Sequence, residues 1–510
     1  MASAAVCENF RDLMEKRARE NPSKVFAVSG DSGTEQTYGG LLADSRKLAW
    51  LLKERDLGPG GRAAMMLPGG WPGVTVFLGI MAAGFTAVPL GLSASAEQLA
   101  YVLKNSGSAL VFADPKFTEI LREAASLTGR SLAIEEVPES GPMPWSHFDS
   151  RPDWPEATSP EPEREALVIY TSGTTGRPKG ARLCHRGLLI GAENVAASHD
   201  LGPDDRVLAA LPFNHINALN VAILAPFCSG GSLVLQKAHD PWNYWSTAAA
   251  YGCTWLNAVP TIIAMILMAP DPGPETDLSR VRFCRSASAP LSPEHHHEFE
   301  ERFGIGIVET MGMTEMSGTV LTNPMKGRKI GSAGRALKVE NRIVDVQTGQ
   351  TLDHDEEGEI QFRGPNLMLG YLDDAEATAK VLTEDGWLRS GDLGRRDADG
   401  FYFITGRLKE IIIKGGENIA PRAVDEVLLR HPAVLSAAAF GVPDKVYGQE
   451  VEAAVILKPG AEAKARELRD FCRKYLSTAE VPRRIHFVAE IPAGSSGKIQ
   501  RLKLLDLLYK

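Results

Sequence analysis

The chain has 510 residues and a net charge of −9, with 44% hydrophobic and 23% charged residues. This length exceeds one ordinary domain and predicts about three units, while the composition is that of a globular protein and not of a disordered one. The negative charge argues against a general nucleic-acid binder, because such a protein needs a basic face.

The cysteines and the apolar stretches bear on the cellular compartment. None of the six cysteines forms a Cys-x-x-Cys pair, which argues against zinc or thioredoxin-type motifs and fits a reducing compartment. The first residues do not resemble a secretory signal, and no apolar stretch reaches the roughly 20 residues of a membrane span. We therefore expect a cytoplasmic protein with no membrane span and no nucleic-acid partner.

The predicted elements alternate between helix and strand along most of the chain. Short apolar strands follow amphipathic helices in the first part, which indicates βαβ units, parallel sheets and an α/β fold class. Residues 136–163 are rich in Pro, Ser and acids, and we expect an exposed connection there. The predicted helices are 10–21 and 41–57, with strands at 62–67, 87–90 and 109–113; alternation resumes over 204–320, short β-type runs fill 331–406, and a small α/β unit begins near 408.

An apolar run at 166–170 opens into Thr-Ser-Gly-Thr-Thr-Gly-Arg-Pro-Lys-Gly. Such a run predicts a buried strand that ends in a loop. Glycine lets the backbone N–H groups approach a ligand, and the hydroxyls and the cations Arg177 and Lys179 add further donors, so the loop suits the phosphates of a nucleotide. It is not a Walker loop, which needs Gly-Lys-Ser/Thr. The candidate nucleotide ligands are Thr171, Ser172, Gly173, Thr174, Thr175, Gly176 and Lys179.

A second polar segment, Glu309-Thr-Met-Gly-Met-Thr-Glu315, follows the apolar strand 305–308. Mg²⁺ takes one or two protein carboxylates together with phosphate oxygens and water. Glu315 is placed to be such a ligand. A run at 294–301 with three adjacent histidines also looks like a metal cluster, but adjacent side chains on a helix point in different directions, so we interpret it as an exposed helix face.

The order of residue types at 171–180 resembles the phosphate loop of the adenylate-forming superfamily, which comprises acyl-CoA synthetases, stand-alone adenylation domains and luciferases. Further stretches resemble other motifs of that family in family order, so the resemblance covers most of the chain. It implies a large N-terminal domain of parallel-type sheets with helices plus a small β-barrel, and a small mobile α+β C-terminal domain. The implied N-terminal domain spans 1–407, with subdomains of about 1–165, 166–330 and 331–407, and the implied C-terminal domain spans 408–510. The further motifs lie at 211–217, 286–290, 309–315, 386–392, 403–410, 414–419 and 494–501.

The resemblance also implies residue roles. Two positions depart from the family pattern: Met311 stands where an aromatic residue usually covers adenine, and Ala287 replaces a more usual Gly. The implied catalytic residues are Lys498, Glu315 and Thr314, the implied metal contacts are Glu315 and Thr175, and the implied hinge is Lys409. The acyl site is implied to be lined by His215, Asn217, Ala287 and Gly312, and the pantetheine channel by Gly415 and Gly416. The implied ATP or AMP contacts, besides the phosphate loop, are Ser288, Ala289, Pro290, Glu309, Met311, Gly312, Met313, Thr314, Asp392, Ile404 and Arg407.

The implied reaction has two steps. A carboxylate attacks the α-phosphate of Mg-ATP to give acyl-AMP and pyrophosphate, and after the C-terminal domain turns about Lys409 the thiol of CoA takes the acyl group. The segment 214–217 contains no acid to hold an α-ammonium group, which argues against an amino-acid substrate. Loading of a carrier protein's phosphopantetheine, release of the acyl group to another acceptor, and an inactive acyl- or nucleotide-binding homologue are left open as alternatives, as is a homodimer.

Overall fold

The computed structural model describes residues 7–58, 60–171, 177–493 and 499–509. Its first part contains two sheets joined by buried helices. In chain order the elements are α1 (Phe10–Glu20), β1 (Val25–Ser29), β2 (Glu35–Thr37), α2 (Tyr38–Glu54), β3 (Arg62–Met66), α3 (Trp71–Ala82), β4 (Thr86–Pro89), α4 (Ala96–Ser106), β5 (Leu110–Ala113), 3₁₀ helices at Pro115–Phe117 and Ser146–Phe148, α5 (Thr118–Thr128), β6 (Ala133–Glu136), β7 (Glu165–Thr171) and β8 (Lys179–Cys184).

The middle part repeats the alternation and contains an uncommon helix. Residues 217–224 form a π-helix, a rare geometry that is frequent at functional sites. The elements are α6 (His185–Ser198), β9 (Arg206–Ala209), the π-helix (Asn217–Leu224), α7 (Ala225–Ser229), β10 (Ser232–Leu235), α8 (Tyr244–Ala250), β11 (Trp255–Ala258), α9 (Pro260–Met268), β12 (Phe283–Ser286), α10 (Pro293–Phe303), β13 (Ile307–Met313), a 3₁₀ helix (Thr314–Met316), β14 (Gly318–Thr322) and β15 (Arg335–Ala336).

The two large sheets are mostly parallel, as the βαβ pattern predicts. The first has seven strands in the order β18-β8-β7-β4-β3-β5-β6, where β18 is Gly370–Tyr371, and the second has nine in the order β15-β14-β13-β12-β11-β9-β10-β1-β2. Antiparallel strands lie at their edges. Helix α3 is buried at every residue after Trp71, and it contacts strands of both sheets. A helix that is apolar all round belongs in such an interior.

The segment 136–163 is largely exposed, as its composition predicts, but it is anchored by a few buried apolar side chains that the composition does not indicate. Met143, Trp145 and Phe148 are buried and belong to the main hydrophobic core. The Trp145 ring lies 6.5 Å from Phe112 of β5, edge to face. Three large apolar side chains spaced among Pro and Ser are enough to fix the segment against the sheet, because each buries a large apolar area.

The next unit is a four-stranded antiparallel sheet in the order β16-β17-β19-β20. The resemblance implies a small β-barrel here, and the strand order does not close on itself. Closure normally takes five or more strands. The elements are β16 (Glu340–Val344), β17 (Gly358–Arg363), α11 (Ala375–Val381), β19 (Leu388–Arg396) and β20 (Tyr402–Arg407).

A separate C-terminal domain follows β20 and has its own hydrophobic cores. Arg422 donates to the carbonyl oxygen of Ile404, and Arg430 lies 3.5 Å from Glu294, so ion pairs and hydrogen bonds join this domain to the preceding ones. No helix in the described part of the chain is long and apolar enough to cross a bilayer. The elements are β21 (Ile412–Lys414), β22 (Glu417–Ile419), α12 (Pro421–Leu429), β23 (Val434–Asp444), β24 (Gly448–Leu457), α13 (Ala465–Cys472), β25 (Arg484–Phe487) and α14 (Arg501–Leu508).

Candidate active site

Most of the predicted site residues lie where parallel strands end. Strands β9, β11, β12 and β13 are neighbours in the nine-stranded sheet, and their carboxyl ends lead into the segments 211–217, 259–261, 286–290 and 309–315. In open α/β sheets, ligands bind beyond the carboxyl ends of the strands. Of the predicted phosphate loop, Thr171 ends β7 and Lys179 begins β8; Ser172, Gly173, Thr174, Thr175, Gly176 and Lys498 lie outside the described residues.

Glu315 is held by a residue that the sequence did not suggest. The Tyr371 hydroxyl donates to Glu315 Oε1 at 2.7 Å, and the Met368 N–H donates to the Glu315 carbonyl oxygen. Lys179 Nζ lies 5.4 Å from the centre of the Tyr371 ring. Burial and the adjacent Glu315 carboxylate raise the pKa of Tyr371 well above its usual range, so its hydroxyl keeps its proton. Strand β18 pairs with β8 and so brings Tyr371 next to the strand that begins with Lys179, while the bond from the Met368 N–H holds the 3₁₀ helix of Glu315 beside them.

The turn after β12 approaches the π-helix. Ser288 has a positive φ of 73°, which is a strained conformation for a residue with a Cβ. Its hydroxyl accepts from Asn217 Nδ2 at 3.3 Å. Ala287 is buried beside it, whereas Ala289 is half-buried and Pro290 is exposed. The structure therefore brings the predicted acyl residues Asn217 and Ala287 next to the predicted nucleotide residue Ser288.

Close backbone contact explains the glycine in the 309–315 segment. A Cβ on Gly312 would lie 2.6 Å from the carbonyl oxygen of Gly318, so no larger residue fits without a backbone shift. Met311 and Met313 are half-buried and pack against the core of the four-stranded sheet. Thr314 begins the 3₁₀ helix that carries Glu315.

Asp392 and Arg407 face each other on neighbouring strands. They are register partners in the β19–β20 pair, and Arg407 Nε lies 2.7 Å from Asp392 Oδ1. Asp392 is buried and Arg407 is exposed. Ile404, on the same strand, offers its carbonyl oxygen to Arg422 of the C-terminal domain. The predicted ribose ligand and the predicted phosphate ligand are thus already paired with each other.

Burial affects the electrostatics of His215. Desolvation by the surrounding protein lowers its pKa to about 4, so the imidazole is neutral near pH 7. A neutral imidazole can donate and accept hydrogen bonds but adds no charge. His215 lies two residues before the π-helix and therefore near Asn217.

The histidine run at 294–301 is not entirely an exposed helix face, because His296 is buried on α10. Its Nδ1 lies 3.1 Å from Glu309 Oε1, and its Nε2 lies 3.1 Å from Glu300 Oε1. The spacing His296, Phe299, Phe303 follows one face of a helix, and this signal could have identified the buried side. Within the described residues, no group of three His, Cys, Asp or Glu side chains could hold a metal ion.

The predicted pantetheine segment forms an exposed turn in the C-terminal domain. Gly415 and Gly416 join β21 to β22, and their φ values of 59° and 90° require glycine or a similarly permissive residue. The predicted hinge residue Lys409 is exposed and lies between β20 and β21. The sequence did not suggest Tyr371, His296, Asn257, Arg285 or Thr319; the last three form a buried polar cluster with Asn217.

Comparison with known proteins identifies the family of the chain. The family model of AMP-binding enzymes matches residues 14–372, and the model of the AMP-binding enzyme C-terminal domain matches residues 423–498. A sulfoacetate–CoA ligase of Cupriavidus necator is 44% identical over 98% of both chains, and an oxalate–CoA ligase of Arabidopsis thaliana is 34% identical over 97% of both. The crystal structure of ATP-bound MatB from Rhodopseudomonas palustris covers 98% of this chain and 100% of its own, with 28% identity and a TM-score of 0.90.

These matches confirm the predicted superfamily, fold class and chemistry. ATP and CoA are the co-substrates that the activity requires. The chain therefore belongs to the AMP-binding enzyme family as an AMP-forming acid–CoA ligase, which activates a carboxylic acid as an acyl-adenylate and transfers the acyl group to CoA.

Proposed function

We propose that this ligase activates a short acid that carries a second acidic group, with sulfoacetate as the first candidate. The support from relatives is that a sulfoacetate–CoA ligase and an oxalate–CoA ligase both align over nearly the whole chain. Oxalate has its two acid groups bonded directly to each other, sulfoacetate has a single CH2 between them, and neither carries an apolar tail.

The observation in the structure that carries this proposal is the polar wall behind Ser288. Asn217 donates to Ser288, and Asn257 Nδ2 donates to Asn217 Oδ1 at 3.3 Å. Both amides are buried. An amide has two N–H donors, so each amide of this wall keeps donor capacity beyond these bonds, and an apolar tail pressed against the wall would leave that capacity unused, which is costly. A small polar acid can exchange hydrogen bonds with the same groups.

The remaining residues fit the two-step reaction. An oxygen of the acid's carboxylate attacks the α-phosphorus of ATP, the bond to pyrophosphate breaks, and the CoA thiol then displaces AMP from the acyl carbon. We assign Asp392 to the ribose hydroxyls, Arg407 to the ribose or α-phosphate, and Lys498 to the charge that develops when two anions meet. The division at 407/408, with Lys409 as the hinge of a mobile C-terminal domain, is part of this proposal.

The donor set at Glu315 fits Mg²⁺. A single carboxylate with one oxygen fixed by Tyr371 suits an ion that takes few protein ligands and keeps phosphate oxygens and water. Glu315 and Thr175 would hold it, and when bound it neutralises phosphate charge.

A substrate panel tests the proposed function. Pyrophosphate release and thioester formation are measured with Mg-ATP for sulfoacetate, oxalate, propanoate, hexanoate and ferulate, each with and without CoA. We expect the highest kcat/KM for sulfoacetate, with release that rises strongly when CoA is present. Preference for hexanoate or ferulate would overturn the assignment of the substrate, and release without thioester formation would favour loading of a carrier protein.

Tyr371→Phe is expected to lower the rate of pyrophosphate release about tenfold or more, since a hydrogen bond to a charged group contributes about 1.5–3 kcal/mol. Without the hydroxyl, Glu315 loses its fixed orientation while the ring still fills its place. The rate is measured across a Mg²⁺ titration, where the half-saturating concentration should rise. Tyr475→Phe, at an exposed tyrosine of the C-terminal domain, is the control; equal rates in both variants would contradict this role.

A further inference from the structure

A buried positive charge without an acidic partner lies behind the acyl site. Arg285, on β12, is only 1% exposed. Among the described residues, no Asp or Glu side chain forms an ion pair with it, and burial lowers its pKa to about 9. The guanidinium still carries its charge near pH 7. A buried charge is normally paired, because an unpaired one is strongly destabilising.

Neutral groups fix the orientation of this guanidinium. Its Nη1 donates to Asn217 Oδ1 at 2.9 Å and to Asn257 Oδ1 at 3.1 Å, and its Nη2 donates to Thr319 Oγ1 at 2.9 Å. Within the described residues, Nε has no hydrogen-bond partner. Since a guanidinium has five N–H donors, two of them remain for a ligand. Two donors on a rigid fork match the oxygens of a carboxylate or a sulfonate.

The position of Arg285 connects it to the site. Strand β12 runs directly from Arg285 into the turn that carries Ser288. Asn217 contacts both residues, as it accepts from Arg285 and donates to Ser288. The cation therefore lies one side chain away from Ser288, behind Asn217 and next to the residues that the resemblance assigns to the acyl site.

We propose that Arg285 binds the second anionic group of the substrate and so selects short acids with two charged ends over acids with one. This inference rests on the proposed function and adds its specificity determinant. The ligand group is an oxyanion, either sulfonate or carboxylate, whose charge compensates the buried guanidinium. An acid without that group leaves the cation unpaired, and sites with buried polar groups reject such substrates strongly.

The test compares two acids of nearly equal shape. In 3,3-dimethylbutanoate a tert-butyl group takes the place of the sulfonate of sulfoacetate, so the two differ mainly in charge. We expect Arg285→Gln to lower kcat/KM for sulfoacetate at least about 100-fold and to change kcat/KM for 3,3-dimethylbutanoate only a few-fold. Arg285→Lys, which keeps the charge but not the fork, should retain part of the preference.

Arg282→Gln is the matched control. Arg282 lies one residue before β12 and pairs with Asp205 at 2.9 Å. Its substitution by Gln should leave the ratio of the two kcat/KM values unchanged. If Arg285→Gln lowers kcat/KM for both acids by the same factor, the arginine has only a structural role and the inference is overturned. ATP binding and the melting temperature of each variant show whether the fold is intact.

A binding measurement separates this inference from the proposed function. Methanedisulfonate has two anionic groups and no reacting carboxylate, so its effect on the melting temperature is independent of turnover. If methanedisulfonate raises the melting temperature of the unmodified protein but not that of Arg285→Gln, the anion site is supported. This holds even if sulfoacetate is not turned over, and in that case only the proposed substrate fails. Turnover of sulfoacetate with an unchanged acid preference in Arg285→Gln would overturn the anion site alone.

Discussion

Glu315→Gln is expected to lower the rate of acid-dependent pyrophosphate release about 1000-fold. The substitution keeps the size of the side chain, and the amide oxygen can still accept from Tyr371, whose hydroxyl donates at 2.7 Å. What is lost is the negative charge that a hard cation requires. The fold should therefore be retained while the adenylation step fails.

The measurement is pyrophosphate release at saturating acid, over a wide range of Mg²⁺ concentrations. Glu376→Gln is the matched control, because Glu376 is an exposed carboxylate on nearby α11 that pairs with Lys380. It should behave like the unmodified protein. A Glu315→Gln variant with an unchanged rate and an unchanged Mg²⁺ requirement would remove Glu315 from the metal site.

Arg501→Ala is expected to destabilise the C-terminal domain by about 3–5 kcal/mol, the cost of breaking a buried ion pair on one side. Arg501 pairs with Asp425 and with Glu410, at 3.1 Å from the latter, and also donates to the carbonyl oxygen of Ala439. Asp425 is buried and would be left without its cation. The loss of stability is measured by denaturant unfolding of the full chain, with the susceptibility of the C-terminal domain to proteolysis as the signal that reports its unfolding.

The pH dependence of this variant has a definite sign. Burial raises the pKa of Asp425 to about 6, against the lowering effect of Arg501. A carboxyl whose folded-state pKa lies above its unfolded value of about 3.9 contributes stability that is lost as the pH rises through that interval. Removal of the cation raises the folded-state pKa further, so the loss caused by Arg501→Ala should be smaller at pH 5 than at pH 8.

Two further variants are controls for Arg501→Ala. Arg466→Ala removes an exposed arginine of the same domain, whose ion pair with Asp470 spans 3.8 Å, and should change stability little. Replacing both partners, Arg501→Met with Asp425→Leu, should recover much of the loss. Equal stability of Arg501→Ala and Arg466→Ala would show that the buried pair contributes nothing.

Local motifs predicted the fold class and the family, because each motif consists of residues that are close in sequence. Tyr371 and Glu315 are 56 residues apart, and only the tertiary fold brings the short strand of Tyr371 next to the 3₁₀ helix of Glu315. Arg285 stands within a short buried strand, where a single charge gives no periodic signal. The role proposed for Arg285 depends on its burial and on hydrogen-bond partners from three other segments, so only the three-dimensional structure reveals it.

The same reasoning explains why the buried side chains within 136–163 and within the histidine run were not predicted. Composition describes the average environment of a segment, whereas Trp145 and His296 are individual side chains on its inner face. The sequence contains both residues, but not the sheet or the glutamates that they contact.

The contact between Gly312 and Gly318 bears on efforts to redesign substrate range. Because a Cβ at position 312 would meet the carbonyl oxygen of Gly318 at 2.6 Å, a mutant library at this position would consist largely of misfolded members. Asn217 and Ala287 carry side chains and meet no such backbone limit. If the proposed acyl site is correct, a library aimed at substrate range should therefore vary the π-helix and the turn after β12 and leave position 312 unchanged.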